Sequence, residues 1–579
     1  MQYALNNIYP VWEESNMKKN KALCLLLAGL TSMSLAACGS SSTNTAKSNN
    51  TDKSEASTVE EMVTTDVAED EGEGYTYGAG VTFHSDEPVT YSMMFSDHEN
   101  YPYKEDWRIW SAIQEKTNVS FDLNLIARTD YEDKKSVLVN SGDSPYIIPK
   151  TYDESKYVNG GQVVAVSDWV QYMPNYQKCM QDWNMVDDIK MKLQADGKYY
   201  VLPGLWESAD AGYSFIIRKD VFDAAGVNVQ ELEKTWTYDD WAEALKKVKD
   251  FTSAKYVWSD PSKAEGTLKL AGMQYDVRAG WDLANGIEFN TDETKFYFSE
   301  TTDNYKQFVS YFNSLINDGI YDPESFSQED DSAKAKFFTG ETYVIHGNYQ
   351  NLADYSTQMQ VDGAELYMIT PPGGPAGMLQ SENSRLENGI MIAQKALDEL
   401  GEKDFIKMLR FVDWLWYSEE GHMLSQWGVE GETYTLDGDN VVLNSEITYN
   451  GINPDAPKKL NADYGFGGGV FAYGGSTWVR TSKYTEGQKD FNVRVGEQRD
   501  ARPLIPPFLA NEDENEELNL IATPLMDCVK AWTQKFITGQ ASIEDDWNAY
   551  VAECESLGST RYVDQVNEIF EKNKSKLGY

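Results

Sequence analysis

The stretch DGKYYVLPGLWESADAGYSFIIRKDVFDAAGV, residues 196–227, decides the fold. Lys198 to Leu202 and Tyr213 to Ile217 are rich in β-branched and aromatic residues, which predicts two strands. The sequence KDVFDAAG, directly after the second strand, predicts the opening of a helix. Strand, connection, strand and helix in this order indicate an α/β protein.

Upstream residues continue the alternation of strands and helices. PVTYSMMFS (88–96) and VSFDLNLIA (119–127) read as strands, and DWRIWSAIQEKTN (106–118) between them reads as an amphipathic helix. DYEDKKSVLVNSGDSPYII (130–148) predicts a helix followed by a short strand. This order predicts a parallel sheet. Residues 88–579 are too many for one core, so we expect two domains.

Downstream, helices predominate. TWTYDDWAEALKKVKD (235–250) predicts a helix capped by Thr237, with Asp240 placed almost as in a capping box. From about residue 515 the chain reads as three helices, at 515–538, 544–556 and 561–575. We detect no internal repeat.

The N-terminal ninety residues predict a secreted, lipid-anchored protein. A short basic segment (17–21) and an apolar run (22–35) precede two alanines and Cys38, the order of a signal peptide. LAACG (35–39) resembles a bacterial lipobox, which implies cleavage before Cys38 and a diacylglycerol on its sulfur; two acyl chains anchor a protein stably. We therefore predict a signal peptide over 1–37, with Met17 as the true start. A flexible polar linker is expected over 38–87.

Charge and cysteine content exclude several functions. The net charge of −43 repels phosphate backbones, so nucleic acid is excluded as a partner. Such a surface could hold a structural calcium ion, but no EF-hand loop is present, and we predict no cofactor and no metal.

Beyond Cys24 and Cys38 the chain has three cysteines, Cys179, Cys528 and Cys554. They read as free buried thiols, and a disulfide between Cys528 and Cys554 is the alternative.

Aromatic residues are unusually frequent. They make up 13% of the chain, with 16 Trp and 36 Tyr. Most must lie in the core. Flat aromatic faces also stack on the apolar face of a pyranose ring, whose rim of hydroxyls then needs hydrogen-bonding partners. The composition is therefore compatible with a glycan-binding protein.

Five passages together resemble a known family. They are SGDSPYI (141–147), the opening stretch continued to TWTYDDW (235–241), KFFTGETYVIHGNY (336–349), QWGVEGETYTLDGD (426–439) and FITGQASIEDDWNAYV (536–551). In this order the chain resembles the extracellular solute-binding proteins of family 1, lipoprotein receptors of ATP-binding-cassette importers. It is most similar to their large oligosaccharide-binding branch in Gram-positive bacteria. Tyr146 departs from the pattern, which usually has Asp there.

The resemblance implies a two-lobed α/β fold with a hinge and a helical C-terminal part. Carried over, the first crossover falls near Leu205 to Tyr213, the return near Ala333 to Phe338, and the second crossover near Arg385 to Ile392. Lobe one is then 88–208 plus 336–388, and lobe two is 209–335 plus 389–579. The ligand would lie between the lobes, which close by a hinge motion.

Candidate ligand-binding residues follow from strand ends, hinge segments and Gly-flanked loops. An uncharged saccharide needs aromatic platforms, and carboxylates and amides for its hydroxyls. A cleft coated with lysine and arginine would contradict that expectation. The candidates are Asp97, His98, Trp206, Glu207, Asp210, Trp281, Asn348, Tyr349, Trp427, Glu430, Tyr473 and Trp478.

The resemblance also implies the function. It is that of a monomeric, lipid-anchored receptor on the extracellular face of the cytoplasmic membrane, delivering oligosaccharides to the transmembrane subunits of its permease. Plant β-glycan fragments such as manno- or xylo-oligosaccharides are the expected cargo. Two alternatives stay open: a receptor for peptides or other solutes, and a secreted glycan-active enzyme, which would need two carboxylates at a fixed separation.

Overall fold

Two separate sheets organise the chain. The computed structural model describes residues 74–99, 101–209, 212–381, 384–467, 471 and 473–579; the predicted signal peptide, Cys38 and all but the last residues of the predicted linker lie outside them. The strands are β1 Tyr75–Thr76, β2 His84–Ser85, β3 Val89–Asp97, β4 Val119–Ala127, β5 Ile147–Thr151, β6 Leu202–Leu205, β7 Tyr213–Arg218, β8 Ile287–Asn290, β9 Lys295–Phe298, β10 Val344–Asn348, β11 Leu366–Met368, β12 Leu386–Ile392, β13 Tyr434–Asp437, β14 Asn440–Leu443, β15 Ile447–Thr448 and β16 Lys458–Lys459.

Helices surround both sheets. They are α1 Arg108–Thr117, α2 Tyr131–Ser141, α3 Ser155–Val158, α4 Pro174–Asp182, α5 Val186–Lys190, α6 Lys219–Ala224, α7 Val229–Leu232, α8 Tyr238–Thr252, α9 Glu265–Gln274, α10 Asp303–Asn317, α11 Asp330–Thr339, α12 Tyr349–Gln358, α13 Gln394–Tyr417, α14 Glu419–Trp427, α15 Leu460–Tyr464, α16 Thr477–Thr481, α17 Glu486–Gln498, α18 Glu512–Ile537, α19 Ile543–Ser556 and α20 Ser559–Asn573. In α8 the Thr237 hydroxyl accepts a hydrogen bond from the Asp240 amide and the Asp240 carboxylate accepts one in return, a complete capping box.

The first sheet has the strand order β4-β3-β5-β12-β6. Strands β4 and β5 both run parallel to β3, with α1 forming the connection from β3 to β4. This part matches the parallel sheet that the alternating pattern predicts. Strand β12 runs antiparallel to both β5 and β6, which local patterning did not indicate.

The second sheet has the order β10-β7-β11, antiparallel throughout. The chain passes from the first sheet to the second between Leu205 and Tyr213. It returns only after Met368, because β10 and β11 pair with β7. The predicted return near Ala333 to Phe338, and with it the assignment of 336–368 to lobe one, is therefore wrong.

Helix α13 belongs with the first sheet. Its Asp413 carboxylate accepts hydrogen bonds from the Asn175 amide at 2.9 Å and the Tyr176 amide at 2.7 Å, both in α4. The Tyr417 hydroxyl donates to the Pro203 carbonyl in β6 at 2.8 Å. Residues 389–417 were predicted to lie in lobe two; these contacts and the pairing of β12 correct that boundary.

The C-terminal helices α18 to α20 pack on the second-sheet side. The Phe570 ring contacts Phe289 in the β8–β9 hairpin, with ring centroids 5.4 Å apart. The Tyr305 hydroxyl of α10 lies 2.7 Å from the Thr533 hydroxyl of α18. Cys179, Cys528 and Cys554 are free and buried. Over the residues described, we find no helix long and apolar enough to cross a membrane.

Candidate ligand-binding site

A cavity of about 920 Å³ lies between the two sheets. Its walls come from residues that directly follow β3, β5 and β6, from the start of β12, and from the ends of β7 and β10 that face them. Ligand sites in α/β proteins form at such strand ends, where loops from several strands converge. We call this cavity the cleft.

The first wall of the cleft is formed by residues at the ends of first-sheet strands: His98, Arg128, Lys150, Tyr152 and Trp206. The His98 imidazole stacks on Tyr101, with ring centroids 4.2 Å apart and planes 13° apart. The Trp206 ring carries the Arg480 guanidinium over its face at 5.5 Å. This wall therefore combines aromatic faces with cations.

The second wall is formed by residues at the ends of second-sheet strands: Gly212, Tyr213, Tyr349 and Gln350. The Tyr213 ring is stacked at 5.7 Å on His346, a buried side chain in β10. The Tyr349 hydroxyl accepts a hydrogen bond of 3.1 Å from the Tyr484 hydroxyl. This wall offers aromatic, hydroxyl and amide groups.

The described residues 473–475 of the Gly-rich segment 464–478 lie against β6. The Gly475 amide donates to the Leu205 carbonyl at 2.8 Å. Gly474 has φ +87°, and a Cβ there would lie 2.5 Å from the Leu205 carbonyl oxygen, so the close approach requires glycine. This contact places Tyr473 in the lining of the cleft.

Electrostatically, cations dominate the lining. Arg128, Lys150, Arg480 and Lys483 line the cleft, against the single carboxylate of Glu387 among the described lining residues. Burial lowers the pKa of His98 below its ordinary value; Glu99 acts against this shift, while Arg128 and Lys150 add to it. The predicted lining of carboxylates is not what the structure shows.

Four of the residues that the sequence singled out meet in the cleft: His98, Trp206, Tyr349 and Tyr473. Trp281 lies next to it, half-exposed, with its ring 5.8 Å from that of Tyr213. The structure therefore brings together the aromatic part of the predicted site.

The remaining candidates lie elsewhere or have other partners. Trp427 is fully buried and its indole N–H donates to the Ser482 hydroxyl at 2.8 Å, so its proposed stacking on a ligand is wrong. Asp97 and Glu207 accept hydrogen bonds from the Tyr103 and Thr477 amides. Three further candidates do not line the cleft. Asn348 caps α12, the Trp478 indole N–H donates to the Asp439 carbonyl, and Glu430 is exposed. Asp210 and Cys38 lie outside the described residues.

Several lining residues escaped the sequence reasoning. Lys150 directly precedes the last residue of β5, and Arg128 directly follows β4. The strand-end rule that selected Asp97 and His98 applies to both, so this signal was available. Glu387 and Asn388 had no comparable signal, because their position depends on pairing between the distant strands β12 and β6. Gln426 lies in helix α14, and only tertiary packing brings it to the cleft.

A second cavity, of about 470 Å³, adjoins the cleft at the start of β12. It shares five lining residues with the cleft: Tyr152, Ser384, Leu386, Glu387 and Asn388. Within the described part of the chain, no group of three or more His, Cys, Asp or Glu side chains is placed to hold a metal ion.

Comparisons with known proteins agree with this architecture. The family model for bacterial extracellular solute-binding proteins matches residues 109–410. The fructooligosaccharide ABC transporter substrate-binding protein FusA of Streptococcus pneumoniae is 23% identical over 523 residues, covering 84% of this chain and 90% of FusA. A human-milk-oligosaccharide (HMO)-binding solute-binding protein of Bifidobacterium longum infantis has a TM-score of 0.64 at 15% identity over 84% of this chain and 99% of its own. The FusA complex with kestose has a TM-score of 0.58 at 17% identity, covering 84% and 99%.

Fold and cleft together define a two-lobed binding protein, with an α/β fold and a helical C-terminal part, as predicted. The matched region includes the second sheet, every strand of the first sheet except β3, and the two crossings between the sheets. The chain belongs to the bacterial extracellular solute-binding proteins.

Proposed function

We propose that the protein is the substrate-binding component of an ATP-binding-cassette importer and captures oligosaccharides in the cleft without altering them. The relative FusA is described as such a component for fructooligosaccharides. In this proposal aromatic rings stack on sugar faces, while amides and hydroxyls bind the sugar rims.

The observation that carries the proposal is the convergence of aromatic side chains from both sheets on one cavity. Trp206 and Tyr473 come from the first-sheet side, and Tyr213 and Tyr349 come from the second. Aromatic faces at both walls suit a sugar ring that is bound between two lobes as they approach each other. Amides of Gln350, Asn388 and Gln426 line the same cavity and provide hydrogen-bond partners for hydroxyls.

The cellular setting completes the proposal. Cys38 would carry the lipid that holds the receptor on the extracellular face of the membrane, and the polar residues behind it would act as a tether to the permease. Growth of the producing cells with labelled palmitate tests the anchor: Cys38→Ala should abolish incorporation of the label.

Titration of a panel of neutral and acidic oligosaccharides, followed by calorimetry, tests the proposed function. We expect at least one oligosaccharide to bind, to raise the melting temperature by linkage, and to be recovered intact. Recovery of cleavage products would contradict a transport role. Binding of peptides, with no response to any oligosaccharide, would establish the alternative receptor.

Trp206→Ala tests whether the bound sugar lies against the first wall. Loss of a buried indole contact should weaken binding by about 1–3 kcal/mol. Trp532→Ala is the matched control, because Trp532 is a half-buried tryptophan on α18 that does not line the cleft. Equal affinities of the two variants would show that the ligand lies elsewhere.

A further inference from the structure

The charge of the cleft is opposite to that of the whole protein. The chain has 93 acidic and 50 basic residues, yet the described cleft lining contains four cations and one carboxylate. A cleft lined by charged residues drawn at random from this chain would have more acidic than basic side chains. The cations are therefore concentrated in the cleft.

Lys150 is the most informative of these cations. It lies in β5 at the cleft, half-buried, with φ +54°. Its ammonium makes no hydrogen bond and no ion pair with any residue that the structure describes. Burial lowers the pKa of Lys150, and the neighbouring Arg128 lowers it further, with no carboxylate acting against them. A partly desolvated charge without a partner costs free energy that an anionic ligand can offset.

Arg480 adds a second charge that no described carboxylate neutralises. Its guanidinium donates to the Ser208 carbonyl at 2.6 Å and the Ser208 hydroxyl at 2.8 Å, both neutral acceptors. Its Nε is buried without a hydrogen-bond partner. Arg128 differs, because it is paired with Glu99.

The Glu387 carboxylate does not balance these charges. It accepts hydrogen bonds from the Asn388 backbone amide at 2.9 Å and side-chain amide at 2.8 Å. It forms no ion pair within the described residues. The cleft therefore keeps a net positive charge, which acts at short range because salt screens the acidic exterior beyond about 8 Å.

We propose that the cleft selects oligosaccharides with an anionic substituent, a carboxylate or a sulfate, and that this group is bound by Lys150. The inference rests on the proposed function and names its substrate class. A charge-assisted hydrogen bond from an ammonium is about twice as strong as a neutral one, and it adds to the stacking on Trp206. A neutral sugar could offer Lys150 hydroxyl acceptors but no compensating charge.

A matched pair of ligands tests the substrate class directly. Oligogalacturonides and the same oligomers after reduction of their carboxyl groups to primary alcohols differ only at C6, where a charged carboxylate becomes a neutral hydroxymethyl group. We expect the acidic form to bind at least tenfold more tightly in calorimetry at 50 mM NaCl. Raising the NaCl concentration to 500 mM should reduce the difference in affinity between the acidic and the reduced oligomers. Sulfated galactan oligomers form a third arm and distinguish sulfate from carboxylate.

Lys150→Met tests the residue. The substitution keeps an unbranched side chain one atom shorter and removes the charge, and it should weaken binding of the preferred acidic oligomer by about 10- to 100-fold. Binding of the reduced oligomer should change little. Lys246→Met is the control, because Lys246 is an exposed lysine paired with Asp318 that does not line the cleft.

The outcomes separate the two proposals. If neutral oligosaccharides bind as tightly as acidic ones, or Lys150→Met weakens both forms equally, this inference is wrong while the proposed function stands. If no oligosaccharide of either kind binds, the proposed function itself fails. Binding of simple acetate or sulfate as tight as that of the oligomers would also overturn the inference, because the site would then recognise an ion and not a sugar.

Discussion

The two walls of the cleft differ in chemistry. The first wall has Arg128 and Lys150 beside Trp206, whereas the described residues of the second wall, Gly212, Tyr213, Tyr349 and Gln350, have no ionisable acid or base other than tyrosine. Both walls therefore offer aromatic rings, but the first wall also has cations. In a hinged receptor, a ligand can be held by the charged wall first and covered by the neutral wall afterwards.

The neutrality of the second wall has a structural cause. His346 supports Tyr213 from behind, and complete burial lowers the pKa of His346 to about 3. The imidazole is therefore uncharged across the physiological range. A charged residue in this position would remove the contrast between the walls.

The largest expected effect comes from Gly474→Ala, which should separate the Gly-rich segment from the first wall. The new Cβ would lie 2.5 Å from the Leu205 carbonyl oxygen at a residue with φ +87°. Backbone strain and the clash together should lower the free energy of unfolding by about 3 kcal/mol and displace Tyr473. Chemical denaturation and ligand calorimetry measure both changes.

Gly438→Ala is the matched control for this substitution. Gly438 also has positive φ, +61°, but a Cβ there meets nothing within 4 Å. It should lose only about 1 kcal/mol of stability and bind normally. Equal behaviour of the two variants would show that the contact with β6 does not hold the first wall together.

The next effect concerns pH and the neutrality of the second wall. Because the pKa of His346 is lower in the folded protein than in the unfolded chain, stability is lost as pH falls through the unfolded value near 6.5. Between pH 7 and pH 5, the native protein should lose about 2 kcal/mol more than His346→Gln. Urea denaturation at the two pH values gives this difference.

Asp260 contributes to the pH dependence of stability with the opposite sign to His346. Burial raises its pKa to about 6, so its effect on stability favours the folded state as pH falls toward 4. Its carboxylate accepts a hydrogen bond from the His346 amide and is present in both proteins, so its effect cancels in the comparison. If His346→Gln loses as much stability as the native protein, the second wall does not depend on a neutral imidazole.

These contrasts also show what the sequence could predict. The alternation of strands and helices identified β3, α1, β4 and the C-terminal helices, because periodicity is a local property. The assignment of 336–368 to lobe one was wrong, since β10 pairs with β7 more than 120 residues upstream. No local pattern records that pairing.

The candidate site was also predictable only where it depends on local sequence patterns. Trp206 and Trp427 look equivalent as aromatic residues beside polar segments, but only packing shows that one lines the cleft and the other is buried. Lys150 follows from the strand-end rule, whereas its lack of a partner depends on the positions of all surrounding side chains. The sign of the charge in the cleft was the property hardest to obtain from a chain of net charge −43.

The smallest effect, and the sharpest test of the second wall, comes from Tyr349→Phe. The substitution keeps the ring and removes a hydroxyl that lies 3.1 Å from the Tyr484 hydroxyl. Loss of one neutral hydrogen bond to a sugar should weaken binding by about 0.5–1.5 kcal/mol.

Tyr484→Phe is the control, because it removes the other hydroxyl of the same pair from a residue outside the cleft lining. An effect of Tyr349→Phe alone would place its hydroxyl in contact with the ligand. Equal effects would instead mean that the pair only positions the Tyr349 ring, and the second wall would then act through ring faces rather than hydroxyls.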